Sequence, residues 1–235
     1  MSSLLNFKKL AGISAIYLAL ANLIGIIIFL VVLDYPSIVD PSQKMAMILN
    51  NQMLVYLTNM LSYVIWGIFF AVLVICLYYI LKNSNNGSDS ASNNSTNDAF
   101  KISSTILPIA TVIGIIWAIL LIASGLIANA GIAPAVVMFQ QNPAQAALFY
   151  SMIETVADGL GGVYNGELFG GLVTLLISFV ALGGKVLPKG LNYWGLLVGA
   201  IGLISVIPGL HDFSGIFGIG QIIWFICLGI TLIKE

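Results

Sequence analysis

The chain has 235 residues, of which 60% are hydrophobic and only 7% are charged, and its formal net charge is −1 at pH 7. A soluble domain carries roughly 25% charged residues, so this composition excludes a water-soluble globular protein. The sequence contains no arginine and shows no basic patch or nucleic-acid-binding motif, which argues against nucleic acid as a partner.

Several uncharged segments are long enough to cross a bilayer, which takes about 20 apolar residues in a helix. Backbone amides find no water in the hydrocarbon layer, so helices are the structure that such segments adopt. We therefore predict an all-α, polytopic membrane helix bundle that forms a single membrane domain over residues 1–235. Its six transmembrane helices are expected at about 10–33, 54–81, 105–128, 166–184, 191–209 and 213–233.

The lysines orient this bundle. Lys44 lies in a loop on one side, and the other seven fall at the opposite ends of the predicted spans: Lys8, Lys9, Lys82, Lys101, Lys185, Lys189 and Lys234. Lysine is enriched in cytoplasmic loops. The pattern predicts a protein of the cell (inner) membrane with both termini in the cytoplasm.

Residues 83–100 consist of asparagine, serine and other polar residues with few apolar ones. Such a segment buries too little apolar surface to offset the entropy that ordering costs. We expect a disordered cytoplasmic linker between the second and third spans.

A shorter helix is predicted at about 143–160. Asn142 followed by Pro143 is a typical helix start. At 100° per residue one face is apolar, whereas the other carries Tyr150, Ser151, Glu154 and Asp158. We expect an amphipathic helix on the outer face of the membrane, with its acidic side turned toward the mouth of the bundle.

The competing topology has seven spans, with residues 144–161 crossing the membrane. That helix would bury Glu154 and Asp158 in the bilayer, and it would also move the last three lysines outside. Both changes are unfavourable, so six spans are favoured.

The last helices are rich in small residues, and a few amide side chains lie within the spans. The glycines favour tight helix packing within the chain, with a partner-binding or homo-oligomeric face as the alternative; they are Gly195, Gly199, Gly202, Gly215, Gly218 and Gly220. Asn59 and Gln221 are expected to form hydrogen bonds between helices.

The acidic residues concentrate on the face that the lysines avoid. The candidate ion- or ligand-binding residues are Glu154, Asp158, Glu167, His211 and Asp212. Glu154 and Asp158 are four positions apart and repel each other unless a cation lies between them. The set suits a divalent cation or a proton site, although solvated end groups at a membrane boundary are the simpler interpretation. No catalytic residue or cofactor motif is identified.

Several short motifs resemble a known family. They are Lys9-Leu10-Ala11-Gly12, the segments GELFGG at 166–171 and LPKGLNYWGLLVG at 187–199, and IWFICLGI at 223–230. The chain is similar here to a family of prokaryotic six-helix integral membrane proteins whose function is unknown. The resemblance implies the six-helix fold and implies no activity or site residues.

Three functional hypotheses follow. The first is a non-enzymatic membrane protein that acts as an accessory, a scaffold or a small-ligand-binding bundle, in contact with membrane lipids. The second is a small transporter or channel with an acidic ion or proton site on its outer face. The third is a metal-dependent membrane enzyme whose metal is held by Glu154, Asp158, Glu167 and His211.

Overall fold

The computed structural model describes residues 2–86, 94–184 and 186–234, and within them the side chains of 4–83, 104–162, 166–184 and 186–234. Every regular element in this part of the chain is helical, and no strand occurs in it. The all-α prediction is confirmed. Lys185, one of the lysines used to orient the bundle, lies outside the described residues.

Two π-helical turns occur among the first four α-helices. α1 runs straight into the first turn, and α3 continues through the second into α4. The elements are α1 (Ser2–Ile26), a π-helical turn (Ile27–Val32), a 3-10 turn (Tyr35–Ser37), α2 (Pro41–Asn50), α3 (Gln52–Asn59), a second π-helical turn (Met60–Ile65) and α4 (Trp66–Asn86).

The remaining helices are longer, and α5 alone has 48 residues. They are α5 (Asn94–Gln141), α6 (Pro143–Gly161), α7 (Val163–Gly184), α8 (Lys189–Ser205) and α9 (Phe213–Lys234). α6 begins as the sequence predicts, because the Asn142 side chain accepts a hydrogen bond from the backbone N–H of Gln145 and Pro143 occupies the first turn.

Five segments are long and apolar enough to cross a membrane, as expected for a multi-pass membrane protein. They are Leu4–Val32, Gln52–Asn83, Ser104–Gln141, Pro143–Gly184 and Phe213–Lys234. The predicted span at 191–209 corresponds to α8, which has 17 residues and ends at Ser205 because the chain turns there. The count of six spans therefore stays a prediction.

α6 and α7 follow each other with a single break at Gly162, so the helix predicted at 143–160 belongs to one long apolar stretch, Pro143–Gly184. α6 turns its apolar side outward: Leu148, Met152 and Val156 are exposed, whereas Tyr150 on the polar side is buried. A helix of a soluble protein shows the opposite pattern. On the polar side Tyr150 is buried and Glu154 is partly buried, whereas Asp158 is exposed, so the predicted inward turn of the acidic side holds only in part.

Part of the segment predicted as a linker, 83–100, is helical in the structure. α4 continues to Asn86 and α5 begins at Asn94, so both ends of the segment are helical, and residues 87–93 lie outside the described part. Adding residues to an existing helix costs much less than starting a new one. The disordered linker stays a prediction.

The chain divides into two compact units. Unit 1 comprises Met1–Ala19, Phe69–Ala118 and Gly166–Glu235, and unit 2 comprises Leu20–Ile68 and Ile119–Asn165. In unit 2, α2 packs on α6 over an apolar core. That core consists of Leu33, Met45, Ile48, Val55, Ile132, Ala135, Ala146, Ala147 and Tyr150.

Unit 1 shows why some of its glycines are needed. A Cβ atom on Gly199 would lie 2.7 Å from the carbonyl oxygen of Gly171, and one on Gly202 would lie 2.7 Å from the Phe217 ring. These glycines therefore serve close packing within the chain, as favoured from the sequence. Gly215 and Gly218 differ, since no described atom lies within 4 Å of a Cβ built there.

The predicted hydrogen bonds between helices are present. In unit 2 the Asn59 amide donates to the Asn129 side-chain oxygen at 3.0 Å. In unit 1 the Gln221 amide donates to Thr174 Oγ1 at 3.4 Å. Both predictions are confirmed.

Replacing Gly199 with alanine tests the close approach of α7 and α8. We expect Gly199→Ala to lower the free energy of unfolding by about 1–3 kcal/mol, the usual cost of overpacking. The matched control is Gly218→Ala, which meets open space and should be neutral or slightly stabilising, because alanine favours helix. Denaturant titration in mixed micelles measures both, and equal stabilities would contradict the packing argument.

Candidate functional site

The five residues singled out in the sequence fall into two groups. Glu154 and Asp158 lie in unit 2, and Glu167, His211 and Asp212 lie in unit 1. Across the described residues, no three His, Cys, Asp or Glu side chains are arranged as a metal-binding group. The two groups are therefore described separately.

Glu154 has a cationic partner. The Nζ atom of Lys44, on α2, lies 3.3 Å from both carboxylate oxygens of Glu154 on α6. The two side chains are only 23% and 24% exposed. Lys44 therefore supplies a positive charge to Glu154, which lies one helical turn from Asp158.

Tyr35 is the second partner of Glu154. Its hydroxyl donates a hydrogen bond to Glu154 Oε1. Its ring also lies under the Lys44 ammonium, which is 4.3 Å from the ring centroid, within the range of a cation–π contact. Burial, followed by the hydrogen bond to Glu154, raises the pKa of Tyr35 far above its usual value of 10.0. The hydroxyl therefore stays protonated and acts as a donor.

Local backbone geometry places Tyr35 at this position. Asp34, immediately before the 3-10 turn, has φ 47°, in the left-handed region that non-glycine residues seldom occupy. Aspartate is one of the residues that tolerate this conformation. The Ser37 hydroxyl donates to the Asp34 carbonyl oxygen at 2.8 Å and reinforces the turn.

A cavity of about 250 Å³ lies beside this group of side chains, entirely within unit 2. We call it the aromatic–acidic cavity. It is lined by Phe29, Tyr35, Pro36, Val55, Asn59, Tyr63, Ser124, Ala128, Tyr150, Glu154, Ala157 and Asp158. Four aromatic rings and two carboxylates thus face one small space.

Two residues in the wall of the cavity come from π-helical turns. Phe29 lies in the first π-helical turn and Tyr63 lies in the second. π-Helical turns inside helices occur often at functional sites, because they shift side chains out of the regular helical register. Asn59 and Ser124 are held by other bonds: Asn59 donates to Asn129, and Ser124 Oγ donates to the Ala157 carbonyl oxygen at 2.8 Å.

Two polar groups in the wall remain available. Tyr150 is only 6% exposed, yet its hydroxyl forms no hydrogen bond with any described residue. The Asp158 carboxylate likewise has no hydrogen bond and no ion pair within 4 Å in the described part of the chain. Buried polar groups are nearly always paired, so the Tyr150 hydroxyl is positioned to meet a ligand, and Asp158, which is exposed at the same wall, offers a carboxylate beside it.

The second group lies in unit 1. Glu167 is buried at the start of α7, and its Oε2 atom accepts a hydrogen bond from Ser205 Oγ of α8 at 3.1 Å. His211 Nδ1, in the turn before α9, is 3.8 Å from the same oxygen. Asp212 is exposed. Glu167 and His211 are thus brought together, as an ion pair when the imidazole is protonated.

Sequence reasoning missed the tyrosines. Tyr35, Tyr63 and Tyr150 come from a turn, a π-helical turn and the polar side of α6, and no common spacing links them. The sequence did hold a signal for Lys44, because it is the one lysine that the predicted topology places on the same side as most of the acids. A lone cation among several carboxylates is a candidate partner for one of them.

Comparison with known proteins returned no matching family model, curated protein or solved structure. The resemblance to prokaryotic six-helix membrane proteins stays a prediction. Function is therefore argued from the two groups of residues, and above all from the cavity.

A double-mutant cycle measures the contact between Lys44 and Glu154. We expect Lys44→Met and Glu154→Gln each to lower the free energy of unfolding, with a coupling energy of about 1 kcal/mol, between that of exposed and buried pairs. The matched control is Lys82→Met, which removes an exposed lysine whose partner is Tyr78, four residues earlier. Additive effects of the two unit 2 substitutions would show that the pair does not stabilise the fold.

Proposed function

We propose that the chain is a non-enzymatic, multi-pass membrane protein that binds a small ligand in the aromatic–acidic cavity. The observation that carries this proposal is the pair of polar side chains, Tyr150 and Asp158, that line the cavity without protein partners among the described residues. A buried hydroxyl such as that of Tyr150 would be expected to have a partner if it served stability alone, and Asp158 lies exposed at the same wall.

The size of the cavity favours a small ligand. Pockets for drug-sized molecules measure about 300–1,000 Å³, and this cavity measures about 250 Å³. It also has the usual composition of a ligand site, which is a mostly apolar and aromatic wall with a few polar groups.

The chemistry of the wall favours binding over catalysis. Neither histidine nor cysteine is among the side chains that line the cavity. Ser124, its one aliphatic hydroxyl, donates to a backbone carbonyl oxygen and has no general base beside it in the described contacts. Nucleophilic catalysis requires such a base within hydrogen-bond reach.

The six-span topology is part of the same proposal. α8 has 17 residues, about 26 Å at 1.5 Å per residue, which approaches the ~30 Å hydrocarbon core. The exposed apolar side of α6 suits contact with lipid. With both termini in the cytoplasm, the loop that contains Ser37 lies outside and the turn before α8 lies inside.

Cysteine labelling distinguishes six spans from seven. In a background that lacks Cys76 and Cys227, we expect Ser37→Cys to react with an impermeant maleimide in intact cells. Gly190→Cys should react only after permeabilisation, because six spans place it in the cytoplasm; its Cβ would meet no described atom within 4 Å. Labelling of both positions in intact cells would favour the seven-span topology.

Ligand binding is tested by thermal unfolding of the purified protein with four solutes of different charge: choline, propionate, glycine betaine and glycerol. A bound ligand raises the melting temperature by mass action, and we expect this for at least one solute. Ala128→Phe fills the cavity and should abolish the increase, whereas Ala130→Phe, on the exposed side of the same helix, should retain it. An unchanged melting temperature with all four solutes would contradict the proposal.

A further inference from the structure

We propose that the ligand of the aromatic–acidic cavity is a small organic cation with one ammonium group, bound by Asp158 and by the surrounding aromatic rings. This inference rests on the proposed function, because it names the chemical class that the cavity selects. Three features support it: the charge of the cavity, the aromatic rings in its wall, and the way in which the Lys44 ammonium group is bound.

The first argument is the charge of the site. Two carboxylates, Glu154 and Asp158, face the cavity, and one ammonium, Lys44, pairs with Glu154 at 3.3 Å. One negative charge is left, on Asp158. Carboxylates one helical turn apart destabilise each other. A bound monocation would relieve this repulsion, whereas an anion would increase it.

The second argument is the aromatic wall. Phe29, Tyr35, Tyr63 and Tyr150 line the cavity together with the two acids. The faces of aromatic rings attract ammonium groups, and rings grouped around a carboxylate are a recurring way of binding methylated amines. The contact gains strength when the cation is removed from water, as it would be beside the buried Tyr150.

The third argument is Lys44 itself. Its ammonium group is bound by Glu154 and lies 4.3 Å from the centroid of the Tyr35 ring. The fold thus already holds one alkylammonium between a carboxylate and an aromatic ring. Asp158, with Tyr63 and Tyr150 in the same wall, offers the same two kinds of partner to a second ammonium that comes from a ligand.

A metal ion fits this donor set less well. Ca²⁺ takes six to eight oxygen ligands and Mg²⁺ demands a near-octahedral set, whereas most of the wall here is aromatic or aliphatic. In addition, no group of three metal-binding side chains occurs among the described residues. The combination of rings and one uncompensated carboxylate is typical of an organic cation site.

The first part of the test compares ligands on the full-length wild-type protein in detergent micelles, by calorimetry and thermal shift. The probes are choline, tetramethylammonium, glycine betaine, sodium and calcium. We expect choline and tetramethylammonium to bind, and glycine betaine to bind at least about tenfold more weakly, because its carboxylate faces Asp158. Sodium and calcium should produce no comparable shift.

The second part uses matched variants. Asp158→Asn keeps the shape and removes the charge, and should weaken choline binding by about tenfold or more. Asp40→Asn removes a charge from the same unit outside the cavity, and asparagine can still cap α2 as Asp40 does; it should bind choline as the wild type does. Tyr150→Phe removes only the hydroxyl and should weaken choline binding less than Tyr150→Leu, which also removes the ring.

The outcomes separate this inference from the proposed function. If propionate or glycerol binds in the cavity and the cations do not, the cavity binds a ligand but the inferred class is wrong. If sodium or calcium binds as well as choline, an inorganic ion replaces the organic cation. If Asp158→Asn binds choline like the wild type, a proton or another group neutralises Asp158 and the inference fails. Binding by none of the solutes contradicts the proposed function itself.

Discussion

The organisation of unit 2 depends on the Glu154 carboxylate. α6 carries this charge on its inward side, where water can solvate it only partly, and a charge in such a place requires partners. Lys44 comes from α2 and Tyr35 from the turn after α1, so one carboxylate connects three separate segments of the chain. The left-handed conformation of Asp34 and the packing of α2 on α6 are both needed for these contacts.

The inverted orientation of α6 explains why the polar groups gather here. In a lipid environment the apolar side of a helix loses nothing by facing outward, since hydrocarbon is as apolar as leucine. The polar side must then face other helices or a wet cavity. Leu148, Met152 and Val156 are accordingly exposed, whereas Tyr150 and Glu154 face the cavity. The same partition that turns the apolar side outward therefore assembles part of the wall of the aromatic–acidic cavity.

Much of this could be predicted from single segments of sequence, because it depends on local rules. The start of α6 at Pro143, its two faces and the role of Asn59 all follow from capping, helical period and the cost of an unpaired amide. The prediction that Glu154 lies near Glu167 and His211 did not rest on such local rules. Charge patterns indicate on which side of a membrane a residue lies, but they give no position within the plane of the membrane. The contact of Tyr35 with Glu154, 119 residues apart, depends on tertiary packing that no periodicity reveals.

Glu167, which is buried, and Glu154, which is partly buried, have different partners. Glu167 has a hydroxyl, Ser205 Oγ, at 3.1 Å and the Nδ1 atom of an imidazole at 3.8 Å, so its charge is balanced only when His211 is protonated. Glu154 is instead paired with the ammonium group of Lys44 at 3.3 Å. Because Lys44 lies against Glu154, Asp158 has no ion pair within 4 Å among the described residues and stays exposed in the wall of the aromatic–acidic cavity. A cavity whose wall is organised before a ligand arrives would bind it with less reorganisation than one that must form around it.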